Sequence, residues 1–158
     1  YFNQGLILGQ TRWEFEGQEI FKRAVGGMAS ACAAVLEKTG LEKDDIDLVV
    51  PHQANLRIID AVAKKLGAAR DKVFINVERY GNMSAATAPV ALVEAIEEGY
   101  VKPGFRIMLP AFGGGLTWCA HLVRWGERVT PLAESGVELE PCDQTALEIV
   151  EAIIASKP

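Results

Sequence analysis

Three segments carry the residue types needed to act on a carbonyl group. They are Pro51-His52-Gln53-Ala54-Asn55-Leu56-Arg57, Arg79-Tyr80-Gly81-Asn82-Met83-Ser84-Ala85-Ala86 and Ala111-Phe112-Gly113-Gly114-Gly115-Leu116-Thr117-Trp118. A neutral imidazole and a side-chain amide can each donate a hydrogen bond, and a backbone N–H exposed at a glycine adds another donor. Aimed at one point, such donors can hold a developing oxyanion. Singly, each segment is ordinary. A loop histidine is more often structural than catalytic, a Gly-Asn step marks a turn, and a run of glycines is a permissive turn. No Walker A pattern accompanies the glycines, which argues against phosphate cradling. The chemistry requires His52 and Asn82, 30 residues apart, to meet at one edge of the fold.

The elements between them can provide that. Phe21, Val25, Met28, Cys32, Val35 and Leu36 fall at helical spacing and predict a helix over 18–38 that stops at Gly40. The apolar run Ile46 to Val50 predicts a buried strand. A helix over 55–66 follows, with Leu56, Ile59, Ala63 and Leu66 on one side. A second buried strand is expected at 73–77 and a helix at 84–98, carrying Val90, Val93 and Ile96. After the Pro103-Gly104 turn, 105–112 and 117–125 read as two strands around the triple glycine. Residues 11–15 alternate weakly, as a short first strand. The order predicts an α/β layered domain with a mixed, mostly parallel sheet. In such sheets ligands gather beyond the carboxyl ends of the strands, where all three segments lie.

Charge divides the chain. Residues 127–158 hold seven acids and two bases, whereas 1–126 hold fourteen of each, so the net charge of −5 belongs to the last fifth. The expected division is 11–126 as the domain and 127–158 as an acidic extension with a terminal helix capped at Asp143. The stripe Leu147, Val150, Ile153 and Ile154 suggests a helix docked on the same domain, with an oligomer contact as the alternative. The opening Tyr-Phe-Asn-Gln-Gly resembles a protease-tag scar, so 1–10 are set aside as a tag or linker remnant. A neutral body with an acidic tail argues against general nucleic-acid binding. No apolar run approaches the roughly 18 residues of a membrane span, and no signal-peptide pattern opens the chain. Three scattered cysteines, 32, 119 and 142, predict free thiols in a reducing compartment, the cytoplasm. No metal site is expected.

The motifs Pro51-His52-Gln53-Ala54-Asn55-Leu56-Arg57-Ile58, Gly81-Asn82-x-Ser84-Ala85-Ala86 and Phe112-Gly113-Gly114-Gly115-x-Thr117-Trp118 resemble, in order and spacing, those of the C-terminal half of β-ketoacyl-acyl-carrier-protein synthase III. The resemblance runs from about residue 11 to 125 and implies one βαβαβαββ half of a thiolase-like fold. It implies that His52 and Asn82 are two members of a Cys-His-Asn triad whose cysteine belongs to an N-terminal half outside this chain. It also implies that Gly114 contributes an oxyanion-hole N–H and that Phe112 shields the site. Asn55 is placed near a pantetheine arm, and Arg57, Lys64 and Lys65 in a patch that docks an acidic carrier protein. The charge count supports that patch, with five bases against two acids over 57–72.

The implied reaction is decarboxylative Claisen condensation of malonyl-acyl-carrier protein with an acyl-CoA starter in fatty-acid biosynthesis, with no cofactor beyond those thioester substrates. The fragment alone is expected to be inactive and to self-associate as a homodimer. A non-catalytic carrier-binding or dimerising module, or a condensing enzyme of specialised metabolism with another starter, remain as alternatives. Ser30-Ala31-Cys32-Ala33-Ala34 resembles the setting of the family nucleophile, but Cys32 lies mid-helix on the apolar stripe, without the helix N-terminus or cation that lowers a thiol pKa. Two departures stand out: Met83 replaces the usual threonine, and the tail extends past the usual family end.

Overall fold

The computed structural model describes residues 16–133, 136–138 and 140–156. The strand expected at 11–15 and the tag remnant at 1–10 lie outside them.

Helix α1, Gly17–Thr39, ends where Gly40 turns left-handed at φ 66°. Its stripe of Val25, Met28, Cys32 and Leu36 is buried as the spacing predicts. Strand β1 is short, Leu48–Val49. Helix α2 is Leu56–Leu66, with Asn55 as N-cap and Gly67 ending it. Ile58, Ile59, Val62, Ala63 and Leu66 form its buried face. Leu56, expected on that face, is instead exposed, because it opens the helix ahead of the packed turns.

The strand expected at 73–77 is corrected. Only a parallel bridge between Val49 and Val73 forms, and Val77–Tyr80 make a single turn of helix, α3. Phe74 N still donates to Val49 O at 3.0 Å, but Asn76 leaves the extended conformation at ψ 13°. The helix expected at 84–98 begins with a 3-10 turn, Ser84–Ala86, and continues as α4, Thr87–Glu97. Its buried residues are Thr87, Ala91 and Ala95, whereas Val93 faces solvent. Strands β2, Arg106–Gly113, and β3, Thr117–Arg124, form the hairpin.

The sheet order is β1-β2-β3, with β1 parallel to β2 and β3 antiparallel to it. Alternate residues of β1 and β2 enter different cores. Val49 and Met108 meet α1 and α2 on one face, while Leu48, Val50 and Ile107 join Phe74, Ala91, Ala95 and Val101 on the other. Helices on both faces explain why Leu48, Val49 and Val50 are apolar in succession. Each fully buried aliphatic residue such as Ile107 contributes about 1.5–3 kcal/mol.

The terminal helix α5, Ala146–Ala155, starts two residues later than expected. Thr145 and Glu148 form a capping box in place of Asp143. It buries no residue, and Leu147, Val150, Ile153 and Ile154 are exposed. The expected docking on this domain is therefore corrected. Among the described residues, no helix is long and apolar enough to cross a membrane.

One close approach ties α1 to β3. A Cβ at Gly27 would lie 2.6 Å from Trp118 Cδ2 and 2.7 Å from its Cγ, atoms near the ring's attachment that cannot swing aside cheaply. At Gly26 nothing lies within 4 Å. Gly26→Ala is therefore expected to gain about 0.5–1 kcal/mol from helix propensity. Gly27→Ala is expected to lose about 1–3 kcal/mol to overpacking. Urea unfolding of both variants checks this; equal stabilities would contradict the contact.

Candidate active site

The first segment leaves the sheet beside β2. Val50 N donates to Met108 O at 2.9 Å and His52 N to Pro110 O at 2.8 Å, so parallel pairing continues past β1 and fixes the His52 backbone. Gln53 turns its carboxamide inward. Its Nε2 donates to Pro51 O at 2.8 Å and Phe74 O at 3.3 Å, and its Oε1 accepts from Asn76 N at 3.0 Å. The side chain is fully buried, so water cannot replace these bonds.

Gln53 thereby fastens the first segment to Phe74 and Asn76, just ahead of the second. Asn76, also buried, donates through Nδ2 to Glu94 Oε2 at 2.8 Å. Tyr80 donates its hydroxyl to Glu94 Oε1, and Arg79 bridges Glu94 at 3.1 Å and Glu98 at 2.8 Å. Hydrogen bonds from Tyr80 and then Asn76 hold the Glu94 carboxyl below the usual carboxylate range. These contacts anchor the short α3 turn to α4. Gly81 then adopts φ 64° and ψ −162°, a region essentially restricted to glycine. It delivers Asn82, whose Oδ1 accepts from Ser84 N at 2.9 Å. That bond uses the backbone, so it does not depend on the side chain of Met83. With Oδ1 engaged, the amide hydrogens are what the exposed Asn82 offers a ligand. Ser84 takes φ 56°, an uncommon left-handed conformation outside glycine.

A second residue, Thr87, links the two segments. Thr87 Oγ1 lies 2.5 Å from His52 Nδ1 and 3.0 Å from Ser84 O. A path of hydrogen bonds therefore runs from Asn82 through Ser84 and Thr87 to His52. The imidazole is half-buried, and burial pushes its pKa below 6.5. The structure thus links the His52 loop to the Asn82 turn through Ser84 and Thr87.

The third segment is placed differently. Phe112 and Gly113 belong to β2, and the turn is Gly114-Gly115-Leu116. Phe112 pairs with Trp118 across the hairpin and packs against the α1–α2 core. Gly114 is exposed, and its carbonyl accepts from Thr117 Oγ1 at 3.3 Å. Among the described residues, no side-chain hydrogen bond joins this turn to His52 or Asn82. Asn55 is exposed and caps α2, its Oδ1 accepting from Ile58 N at 3.0 Å.

Arg57, Lys64 and Lys65 are exposed on α2, with the Arg57 guanidinium 5.9 Å from the centre of the Phe21 ring. Two further bases of that region are turned to structural use: Lys72 Nζ donates to Ile46 O at 2.9 Å and Arg70 to Val73 O at 3.4 Å. Burial pushes the Cys32 thiol up to about 12, so its nucleophilic thiolate is disfavoured. Cys119 and Cys142 are exposed. Among the described residues, no group of three or more His, Cys, Asp or Glu could hold a metal ion.

Sequence reasoning gave no part to Gln53, Asn76 or Thr87. The available signal was a polar residue opening the otherwise apolar stretch Thr87-Ala88-Pro89-Val90-Ala91.

Residues 36–125 match the family model described as 3-Oxoacyl-[acyl-carrier-protein (ACP)] synthase III C terminal. The chain belongs to this family. It is 51% identical over 146 residues to beta-ketoacyl-[acyl-carrier-protein] synthase III 2 of Vibrio cholerae, covering 92% of this chain and 40% of that protein. A crystal structure of 3-oxoacyl-[acyl-carrier-protein] synthase III from Aquifex aeolicus superimposes with a TM-score of 0.69 at 53% identity, covering 71% of this chain and 36% of the other. The synthase III of Pseudomonas aeruginosa gives a TM-score of 0.74 at 33% identity over 80% of this chain and 39% of that one. These relatives confirm the α/β thiolase-like half. The chain spans about 40% of the length of the Vibrio relative. That match also reaches into the acidic tail, because residues 126–158 outnumber those it leaves out. At least part of the tail is thus shared with a relative bearing the family name.

Because the folded imidazole titrates below 6.5, the unfolded chain binds the extra proton first as pH falls. Stability contributed by neutral His52 is complete above about pH 6.5 and is lost on acidification through the folded-state pKa. An NMR titration of the His52 ring is expected to give a midpoint below 6.5; a midpoint above that value would contradict the burial.

Proposed function

We propose that this chain is the C-terminal part of an acyltransferase that condenses malonyl-acyl-carrier protein with an acyl-CoA starter in fatty-acid biosynthesis. The observation that carries the reading is the hydrogen-bonded path joining the His52 and Asn82 loops, each with a donor group available to a ligand. The family membership and the lengths left uncovered in its relatives support it.

The starter acyl group passes from CoA sulfur to a cysteine thiolate supplied from outside this chain. Malonyl-acyl-carrier protein then loses CO₂, and the electron pair of the broken C–C bond moves onto the thioester oxygen. His52 Nε2 and Asn82 Nδ2 donate to that oxygen where negative charge develops. The enolate carbon attacks the acyl thioester and expels the cysteine thiolate, leaving a β-ketoacyl product on the carrier. Gly114 N–H serves the oxyanion of this second step, and Phe112 limits water entry. Asn55 contacts the pantetheine arm with its exposed amide hydrogens, since Oδ1 is used in the cap. Arg57, Lys64 and Lys65 dock the acidic carrier protein, chiefly raising its on-rate. The same reading includes the remaining length of the enzyme, a homodimer and the cytoplasm, and requires no metal or bound cofactor.

The test is to fuse this chain behind the remaining length of the Vibrio cholerae relative and assay condensation of malonyl-acyl-carrier protein with acetyl-CoA and longer starters. Activity is expected, with His52→Ala and Asn82→Ala each losing on the order of 10²–10³ in rate. A folded fusion whose rate survives either substitution would overturn the assignment.

A further inference from the structure

Under the reading above, neutral His52 can donate to a substrate oxygen only if its proton sits on Nε2 and Nδ1 is bare. The geometry points to Thr87 as the positioning residue that sets this tautomer, its hydroxyl donating to His52 Nδ1. Thr87 Oγ1 has two acceptors in reach, His52 Nδ1 at 2.5 Å and Ser84 O at 3.0 Å, and a single proton to give. Ser84 O already receives the Thr87 backbone N–H, so it stays satisfied when the hydroxyl proton turns away. His52 Nδ1 has no other donor among the described residues.

Thr87 is completely buried, so solvent water does not compete for its proton. The reverse arrangement would put the ring proton on Nδ1 and the hydroxyl proton on Ser84 O. It would leave an Nε2 lone pair facing the ligand, and a lone pair repels the enolate oxygen it is meant to stabilise. Thr87 also ties the ring to the α4 N-terminus, so the imidazole plane is fixed relative to the Asn82 turn. Its effect on the reaction is exerted wholly through His52.

The direction of this hydrogen bond can be read without turnover, so the test stands apart from the condensation assay. Long-range ¹H–¹⁵N spectra of the labelled 158-residue chain at alkaline pH report which ring nitrogen of His52 carries the proton, with exposed His121 as an internal reference. The expected result is protonated Nε2, with the Nδ1 resonance moved upfield by the accepted hydrogen bond. Thr87→Val should shift Nδ1 back downfield toward a bare ring nitrogen, and Thr87→Ser should restore the wild-type position. A proton on Nδ1 in the wild-type chain, or an Nδ1 resonance unmoved in Thr87→Val, would overturn the proposal. The wild-type spectrum decides the tautomer even if the valine variant unfolds.

Discussion

The site depends on a buried carboxamide. Gln53 sits where the chain has just left the sheet, and its three hydrogen bonds reach its own segment, the end of the Phe74 stretch and the backbone of Asn76. Removing that side chain would strand buried backbone groups, each carrying a penalty of about 1–3 kcal/mol. Gln53 therefore does for two loops what a ladder does for two strands. It stands in for the pairing lost when the 73–77 segment forms only a bridge.

Beyond that staple, the scaffold supplies rigidity in layers. Parallel pairing carries the chain to His52, and the contacts of Asn76, Tyr80 and Arg79 with Glu94 hold the α3 turn against α4. The backbone conformations of Gly81 and Ser84 then aim Asn82, and Thr87 closes the circuit at the imidazole. Donors held this way need little reorganisation when charge develops, which is the basis of electrostatic preorganisation. Cys32 is deep in the α1 core, where a thiolate is penalised, so it does not suit the nucleophile's role. Under the proposed function, this chain contributes the groups that stabilise charge.

Much of the frame was legible because periodicity reports burial. The α1 stripe read correctly, and the strand expected at 46–50 exists but narrows to Leu48–Val49, with Asp47 only partly buried. Leu56 and Val93 misled because a helical stripe predicts a facing direction and not whether a neighbour waits there. The strand at 73–77 failed because apolar composition cannot distinguish a paired strand from an extended segment held by one bridge and a side-chain staple. The terminal stripe predicted its helix, but amphipathicity does not name the surface that covers it. His52 and Asn82 were visible as residue types in motifs. The residues that orient them were not, because a buried Gln or Thr looks like any other polar residue until its partners are known.

The most direct test is a crystal structure of the fused protein bound to a non-hydrolysable malonyl thioester analogue. One thioester carbonyl oxygen is expected to lie within hydrogen-bonding distance of both His52 Nε2 and Asn82 Nδ2. A bound analogue whose carbonyl oxygen meets only one of these groups, or neither, would contradict it.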